Sequence, residues 1–210
     1  MPLIYNQVVY DDCQLAIWEI TESYEELYSR IHFFEGEEEN LRNFKSNFRR
    51  LEWLSVRRLL REVRGEPTRI VYNEMRKPFL FNSDQHVSIS HSKNFTAVML
   101  SNNLKLGLDL EYMGPSIENV AHKFLNKEEY IVEDPKKRNF HMYIHWCAKE
   151  ALYKLCDKQD INFKKNITIE PFEPDACGEI MGWVENQFWH DKFLLRYFML
   201  KDYVIVYCSK

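Results

Sequence analysis

The chain has no apolar run approaching the ~20 residues needed to cross a bilayer. Its opening, MPLIYNQVVYDDC, lacks the basic-then-apolar order of a secretory signal. Both absences lead to the expectation of a cytoplasmic protein with no membrane role. Cysteine is scarce and unpatterned: Cys13, Cys147, Cys156, Cys177 and Cys208 are odd in number and show no C-x-x-C spacing, which argues against a disulfide framework and a structural zinc site. Reduced, mostly buried thiols are expected. Positive charge is not in excess. With 28 Lys and Arg against 32 Asp and Glu the formal net charge is −4, so the surface as a whole is no trap for nucleic acid and any anion site must be built locally. Fixed-period repeats and low-complexity linkers are also missing.

What is present suffices for a real core. The 210 residues are 45% apolar and 15% aromatic, enough for one substantial domain or two closely packed halves. From Glu37 to Arg64, Leu41, Phe44, Phe48, Leu51, Leu59 and Val63 recur at helical spacing, with Gly65 and Pro67 as stops, which predicts one long amphipathic helix. Its polar side starts acidic (Glu37, Glu38, Glu39) and turns basic (Arg42, Lys45, Arg49, Arg50, Arg57, Arg58, Arg61, Arg64). That is a face for phosphates, or simply a solvated one. Short strands follow at about 69–73, 79–81, 86–90, 95–101 and 104–111, read as an antiparallel meander. Helices are expected at about 116–125, 127–133 and 138–157, then three more strands. Helices followed by strands occur twice, which predicts an α+β fold of two similarly built halves, 1–113 and 114–210.

Within this frame three stretches carry chemistry. In LGLDLE, strand alternation points Leu106, Leu108 and Leu110 one way and Gly107, Asp109 and Glu111 the other. Two carboxylates this close are costly to keep ionised without a cation between them, and hard oxygen donors suit Mg²⁺ or Mn²⁺. Gly107 beside them is expected to leave room for a bulky ligand. In HWCAKEALYKL, Trp146, Glu150 and Lys154 form an i, i+4, i+8 stripe on a helix, so Glu150 completes a three-carboxylate set while Lys149 and Lys154 neutralise phosphate. The plain alternative is a Glu150–Lys154 ion pair worth a few tenths of a kcal/mol. In SISHS, Ser90, His91 and Ser92 offer donors to an anion from what reads as a tight turn.

Taken in order and spacing, RKP (76–78), SISHS (88–92), LGLDLE (106–111), FLNKEEY (124–130) and WCAKEALYK (146–154) resemble the motifs of the Sfp-type 4′-phosphopantetheinyl transferases over roughly residues 40 to 160. The resemblance implies a pseudo-twofold monomer with coenzyme A held in a cleft between its halves. It implies Mg²⁺ on Asp109, Glu111 and Glu150, and phosphate contacts from Lys154, Lys149, Ser90 and His91. Lys77 would hold the nucleotide end, with Arg57 or Arg58, of which Arg58 is carried forward, at the 3′-phosphate. The implied reaction is attack by a serine of an apo acyl or peptidyl carrier protein on the β-phosphate of coenzyme A, with 3′,5′-ADP leaving. Glu129 or Glu150 would act as the base and Lys154 as a charge stabiliser. Asn126 and Glu129 are equally a helix-capping pair. Lys123, Lys127, Lys136, Lys137 and Arg138 are candidate docking charges for an acidic carrier.

Two departures from the family pattern stand out. The glycine usual before KP is Arg76, and LCDKQDINFKK beyond Lys154 lacks the glycines of many members. Two other classes fit the same residues: another Mg²⁺-dependent phosphoryl-transfer enzyme with water as nucleophile, and a noncatalytic carrier-protein or nucleotide-binding module.

Overall fold

The structure, a computed structural model, describes residues 2–157, 161–187 and 189–210. It is α+β, and the chain divides into two compact units, Met1–Asn103 and Leu104–Lys210. The division falls at 103/104 and not at 113/114, because the strand over Leu106–Tyr112 hydrogen-bonds into the C-terminal sheet. Among the described residues no helix is long and apolar enough to cross a membrane.

The N-terminal unit runs β1 (Leu3–Tyr10), β2 (Cys13–Glu19), α1 (Tyr24–Ser29), α2 (Glu37–Asn43), α3 (Asn47–Arg64), β3 (Ile70–Tyr72), β4 (Pro78–Leu80), β5 (His86–Ser92) and β6 (Phe95–Ser101). Its main sheet has the order β1-β2-β6-β5, antiparallel throughout, and β3 and β4 form a separate hairpin. Helix α3 lays Val56, Leu59 and Leu60 against Trp18, Val87, Val98 and Leu100 of this sheet. The helix expected over 37–64 is broken: Phe44 is extended, and Ser46 caps a new start. The break is held by Arg50, whose guanidinium donates to the carbonyls of Phe44 (2.9 Å) and Arg42 (3.3 Å) and so satisfies the end of α2. The hairpin β1–β2, unread in the sequence, takes the edge of β6 that a meander would have given to the next strand.

The C-terminal unit runs β7 (Leu106–Tyr112), α4 (Ile117–Phe124), α5 (Pro135–Leu155), α6 (Phe163–Asn166), β8 (Ile167–Ile169), β9 (Cys177–Glu185), β10 (His190–Leu200) and β11 (Tyr203–Ser209), with sheet order β7-β11-β10-β9-β8. Asp134 accepts from the Lys136 amide and Pro135 stands in the first turn, so α5 starts where its sequence dictates. No helix forms over 127–133. Asn126 and Glu129 do make the reciprocal capping bonds, but the Glu129 side chain is drawn inward to Lys149 and the segment goes on as a loop. The apolar side of α5, Ile144, Ala148, Ala151, Leu152 and Leu155, packs on Val184, Leu195, Val204 and Val206 of the sheet. Residues 158–160, within the glycine-poor stretch after Lys154, lie outside the described residues.

Gly107 marks a close approach of β7 to α5. A Cβ there would lie 2.2 Å from the Ala151 carbonyl oxygen, so the space expected for a ligand is filled by the backbone of α5. The same helix buries His141 and His145, whose rings lie 5.0 Å apart and tilted by 49°, with Phe172 against both. His141 Nδ1 accepts from the Val132 amide at 3.2 Å, so a second proton there would face a donor. Burial, then the neighbouring His145, pushes the His141 imidazole down to about 4.

Gly107→Ala should cost about 1–3 kcal/mol by forcing β7 and α5 apart; an unchanged urea midpoint would remove this contact from the list of fold determinants. A histidine lowered on folding binds fewer protons folded than unfolded, so its contribution is whole above the ordinary value near 6.5 and is lost as pH falls towards 4. Wild type should therefore lose roughly 3 kcal/mol more than His141→Gln between pH 6.5 and 4. Parallel stability curves for the two proteins would show that His141 is not the source.

Candidate active site

Strand β7 and helix α5 bring the sequence-predicted acids and Lys154 to one place. Gly107 faces α5, so by alternation Asp109 and Glu111 do too. Lys154 Nζ donates to Asp109 Oδ1 (2.8 Å) and to the Leu108 carbonyl (2.9 Å); Asp109 is nearly buried and Lys154 22% exposed. Eight residues earlier on the same stripe, the Trp146 indole N–H is directed at Glu111 Oε1 at 3.5 Å. The two ends of the stripe thus meet the two acids of β7. Glu150, half-buried midway between them, belongs to the same row.

As a donor set, Asp109, Glu111 and Glu150 are oxygen-only, which suits a hard divalent cation and not zinc. Among the described residues no three His, Cys, Asp or Glu side chains stand close enough to hold an ion, and Asp109 is engaged by Lys154. Beneath the acids lies Cys147, wholly buried, its thiol pushed well up by burial and then by Asp109 and Glu111. It stays a protonated packing group. Sequence reading gave it no role beyond a buried thiol, and its place on the stripe side of α5 was the available signal.

Lys149 and Glu129 lie elsewhere, in the interior of the unit. Both side chains are fully buried, with Nζ at 2.8 Å from Glu129 Oε2. Lys149 also donates to the carbonyls of Phe124 (2.8 Å), Phe163 (3.0 Å) and Ile167 (2.8 Å). Glu129 accepts from the amides of Asn126 and Ile169, and His145 Nδ1 stands 3.7 Å from it, beyond hydrogen-bonding range. Burial works against the Glu129 anion, but His145, Lys149 and the Asn126 amide outweigh it and hold the carboxyl below its usual value. Burial lowers the Lys149 ammonium, opposed by Glu129. The structure thus places Glu129 and Lys149 against each other in the interior of the unit, away from the Asp109–Lys154 contact.

The remaining predicted residues belong to the N-terminal unit. Residues 88–92 are not a turn; β5 stays paired with β6 through Ser92, and the turn comes at Lys93. Ser90 and His91 therefore point to opposite faces. His91 Nδ1 lies 3.1 Å from Glu52 Oε1, whose other oxygen takes Arg49 at 3.2 Å. His91, Arg49, Glu52, Arg57, Tyr72 and Arg76 line a cavity of about 370 Å³. Arg76 adopts a left-handed φ of 59°, keeping the turn that a glycine would make, and Lys77 follows with its amide on Asn73 Oδ1 at 2.8 Å.

The basic face of α3 is largely spent. Arg57 is buried on Glu37 at 2.8 Å and lies over Trp53; Arg58 pairs with Glu62 at 2.7 Å, and Arg64 with Glu66 at 3.2 Å. Arg57 and Arg58 are thus already engaged by acids of their own unit. Of the candidate docking charges, Lys123, Lys127, Lys136 and Lys137 are exposed, and Arg138 pairs with Glu118 at 3.1 Å.

Residues 105–208, which hold both β7 and α5, match the profile of the 4′-phosphopantetheinyl transferase superfamily. The 4′-phosphopantetheinyl transferase AcpT of Salmonella typhi is 30% identical over 112 residues, 50% of this chain and 58% of the relative, and that of Salmonella typhimurium gives the same figures. The 4′-phosphopantetheinyl transferase HetI of a Nostoc species is 26% identical over 153 residues, 64% of each chain. The chain thus spans less than two-thirds of the length of these curated relatives. Through residues 105–208, it belongs to the 4′-phosphopantetheinyl transferase superfamily.

Proposed function

We propose that this protein transfers 4′-phosphopantetheine from coenzyme A to a serine of an apo acyl or peptidyl carrier protein, releasing 3′,5′-ADP. The observation that carries the reading is the meeting of Asp109 and Glu111 on β7 with the Trp146–Glu150–Lys154 stripe of α5. Mg²⁺ suits the oxygen donors Asp109, Glu111 and Glu150, which would have to draw together to hold it, and would supply positive charge to the pyrophosphate and the leaving nucleotide.

The chain's own groups do the rest. Lys154, partly exposed beside Asp109, presents an ammonium for a phosphate oxygen at the edge of the acid pair. With Glu129 committed to Lys149, Glu150 is the group left to take the serine proton as the new O–P bond forms and the pyrophosphate P–O bond breaks. Within the N-terminal unit, His91 and the cavity it lines with Arg49 and Arg76 would take a phosphate, with Lys77 following Arg76 in the turn, while Ser90 faces the other side of β5. Arg58, closed by Glu62, is left out of this role.

Purified protein, coenzyme A, Mg²⁺ and a panel of apo carriers should give a carrier heavier by one phosphopantetheine arm on intact mass measurement. EDTA should abolish the shift, and Asp109→Ala should slow it by at least about 100-fold. Coenzyme A binding without transfer to any carrier would point to a noncatalytic module; phosphate release without a carrier would point to a different phosphoryl enzyme.

A further inference from the structure

Lys149 is the most completely enclosed cation among the described residues, with no exposed surface and four acceptors within 3.0 Å. An ammonium offers three hydrogens and accepts nothing. One carboxylate, Glu129, already neutralises it. The other three acceptors are backbone carbonyls from three separate elements: the end of α4 (Phe124), the start of α6 (Phe163) and the start of β8 (Ile167). A buried ion pair is weak evidence for stability, since apolar residues of like volume often serve as well. Its directional bonds are what an apolar residue would not reproduce.

Two of those carbonyls belong to residues whose rings hold one indole. Phe124 meets Trp146 at 5.2 Å and 68°, and Phe163 meets it at 5.6 Å and 50°. Trp146 stands one helical turn before Lys149 on α5, and its single N–H is directed at Glu111. We infer that Lys149 is a positioning residue: by fixing the backbones of Phe124 and Phe163 it sets the aromatic clamp that holds the Trp146 indole against Glu111. The inference rests on the proposed role of the β7–α5 site. It makes Lys149 act on that site through Trp146, without touching substrate.

The test reads the indole N–H signals of the full chain by ¹H–¹⁵N NMR, with that of Trp146 identified by its loss in Trp146→Phe. In wild type the Trp146 signal should move on Glu111→Gln. In the volume-conserving pair Lys149→Met with Glu129→Gln, which keeps one acceptor oxygen where the Asn126 and Ile169 amides had two, it should shift towards the position of a free indole and no longer respond to Glu111→Gln. The Trp18 and Trp53 signals should stay in place. A Trp146 signal and Glu111 response unchanged in the pair would overturn the inference. Should the pair fail to fold, Phe163→Leu, which removes one jaw of the clamp and leaves Lys149 intact, must move the same signal; no movement overturns the inference equally.

The transfer assay supplies a second reading. Trp146→Phe should lower transfer by roughly 10–100-fold in wild type and change it little further in the Lys149→Met, Glu129→Gln background. Fully additive losses would show that Lys149 is structural only. Absence of transfer in wild type would defeat the proposed activity and leave the NMR reading of Lys149 standing.

Discussion

The Ala151 carbonyl occupies the space where a side chain at position 107 would be, and the site follows from that approach. Without a Cβ at Gly107, helix α5 settles onto β7 closely enough for side chains of ordinary reach to bridge them. Strand rise separates residues 109 and 111 by about 7 Å, and helix rise separates residues 146 and 154 by about 12 Å. Two fixed periods, pressed together at one glycine, bring Lys154 to Asp109 and Trp146 to Glu111 with Glu150 between. A bulkier residue at 107 would lift the whole row.

Helix α5 carries two lysines with opposite fates. Lys154, at the edge, keeps part of its surface in water while it neutralises Asp109. Lys149, five residues earlier, has none, and its full desolvation is offset only because Glu129 and three carbonyls surround it. The first kind of cation can exchange partners with an incoming anion at modest cost. The second cannot leave without stranding a buried carboxylate, so its effect on any ligand must pass through the groups it holds.

The division between what the sequence displayed and what it hid follows this contrast. Asp109, Glu111, Glu150 and Lys154 were legible because strand and helix periods are local and place like-facing residues at fixed intervals. The final three strands and the extent of α5 were legible for the same reason. The burial of Glu129 and Lys149 was not legible because their partners lie on other elements, and nothing local distinguishes a buried cation from an exposed one. The meander failed likewise: β6 and β7 are neighbours in sequence, yet β2 and β11 are their partners. At Ser90 and His91 a hydroxyl-rich composition looked like a turn, but pairing with β6 carried the strand two residues further. The break in the helix over 37–64 needed Arg50 to reach back to Phe44 and Arg42, a tertiary capping event that no period records.

The same reasoning changes what the arginine-rich helix can offer an anion. Counted along the sequence, α3 is strongly basic. Counted in space, Arg57, Arg58 and Arg64 each have an acid within about salt-bridge distance, which leaves little net field from them. The cavity beside His91 differs because one nearly buried carboxylate, Glu52, is shared between Arg49 and His91 while Arg76 joins them on the wall. A phosphate entering there would compete with one acid for two donors and gain a third. Any preference for an anion in this unit would therefore come from a local imbalance around Glu52, in a chain whose overall charge is negative.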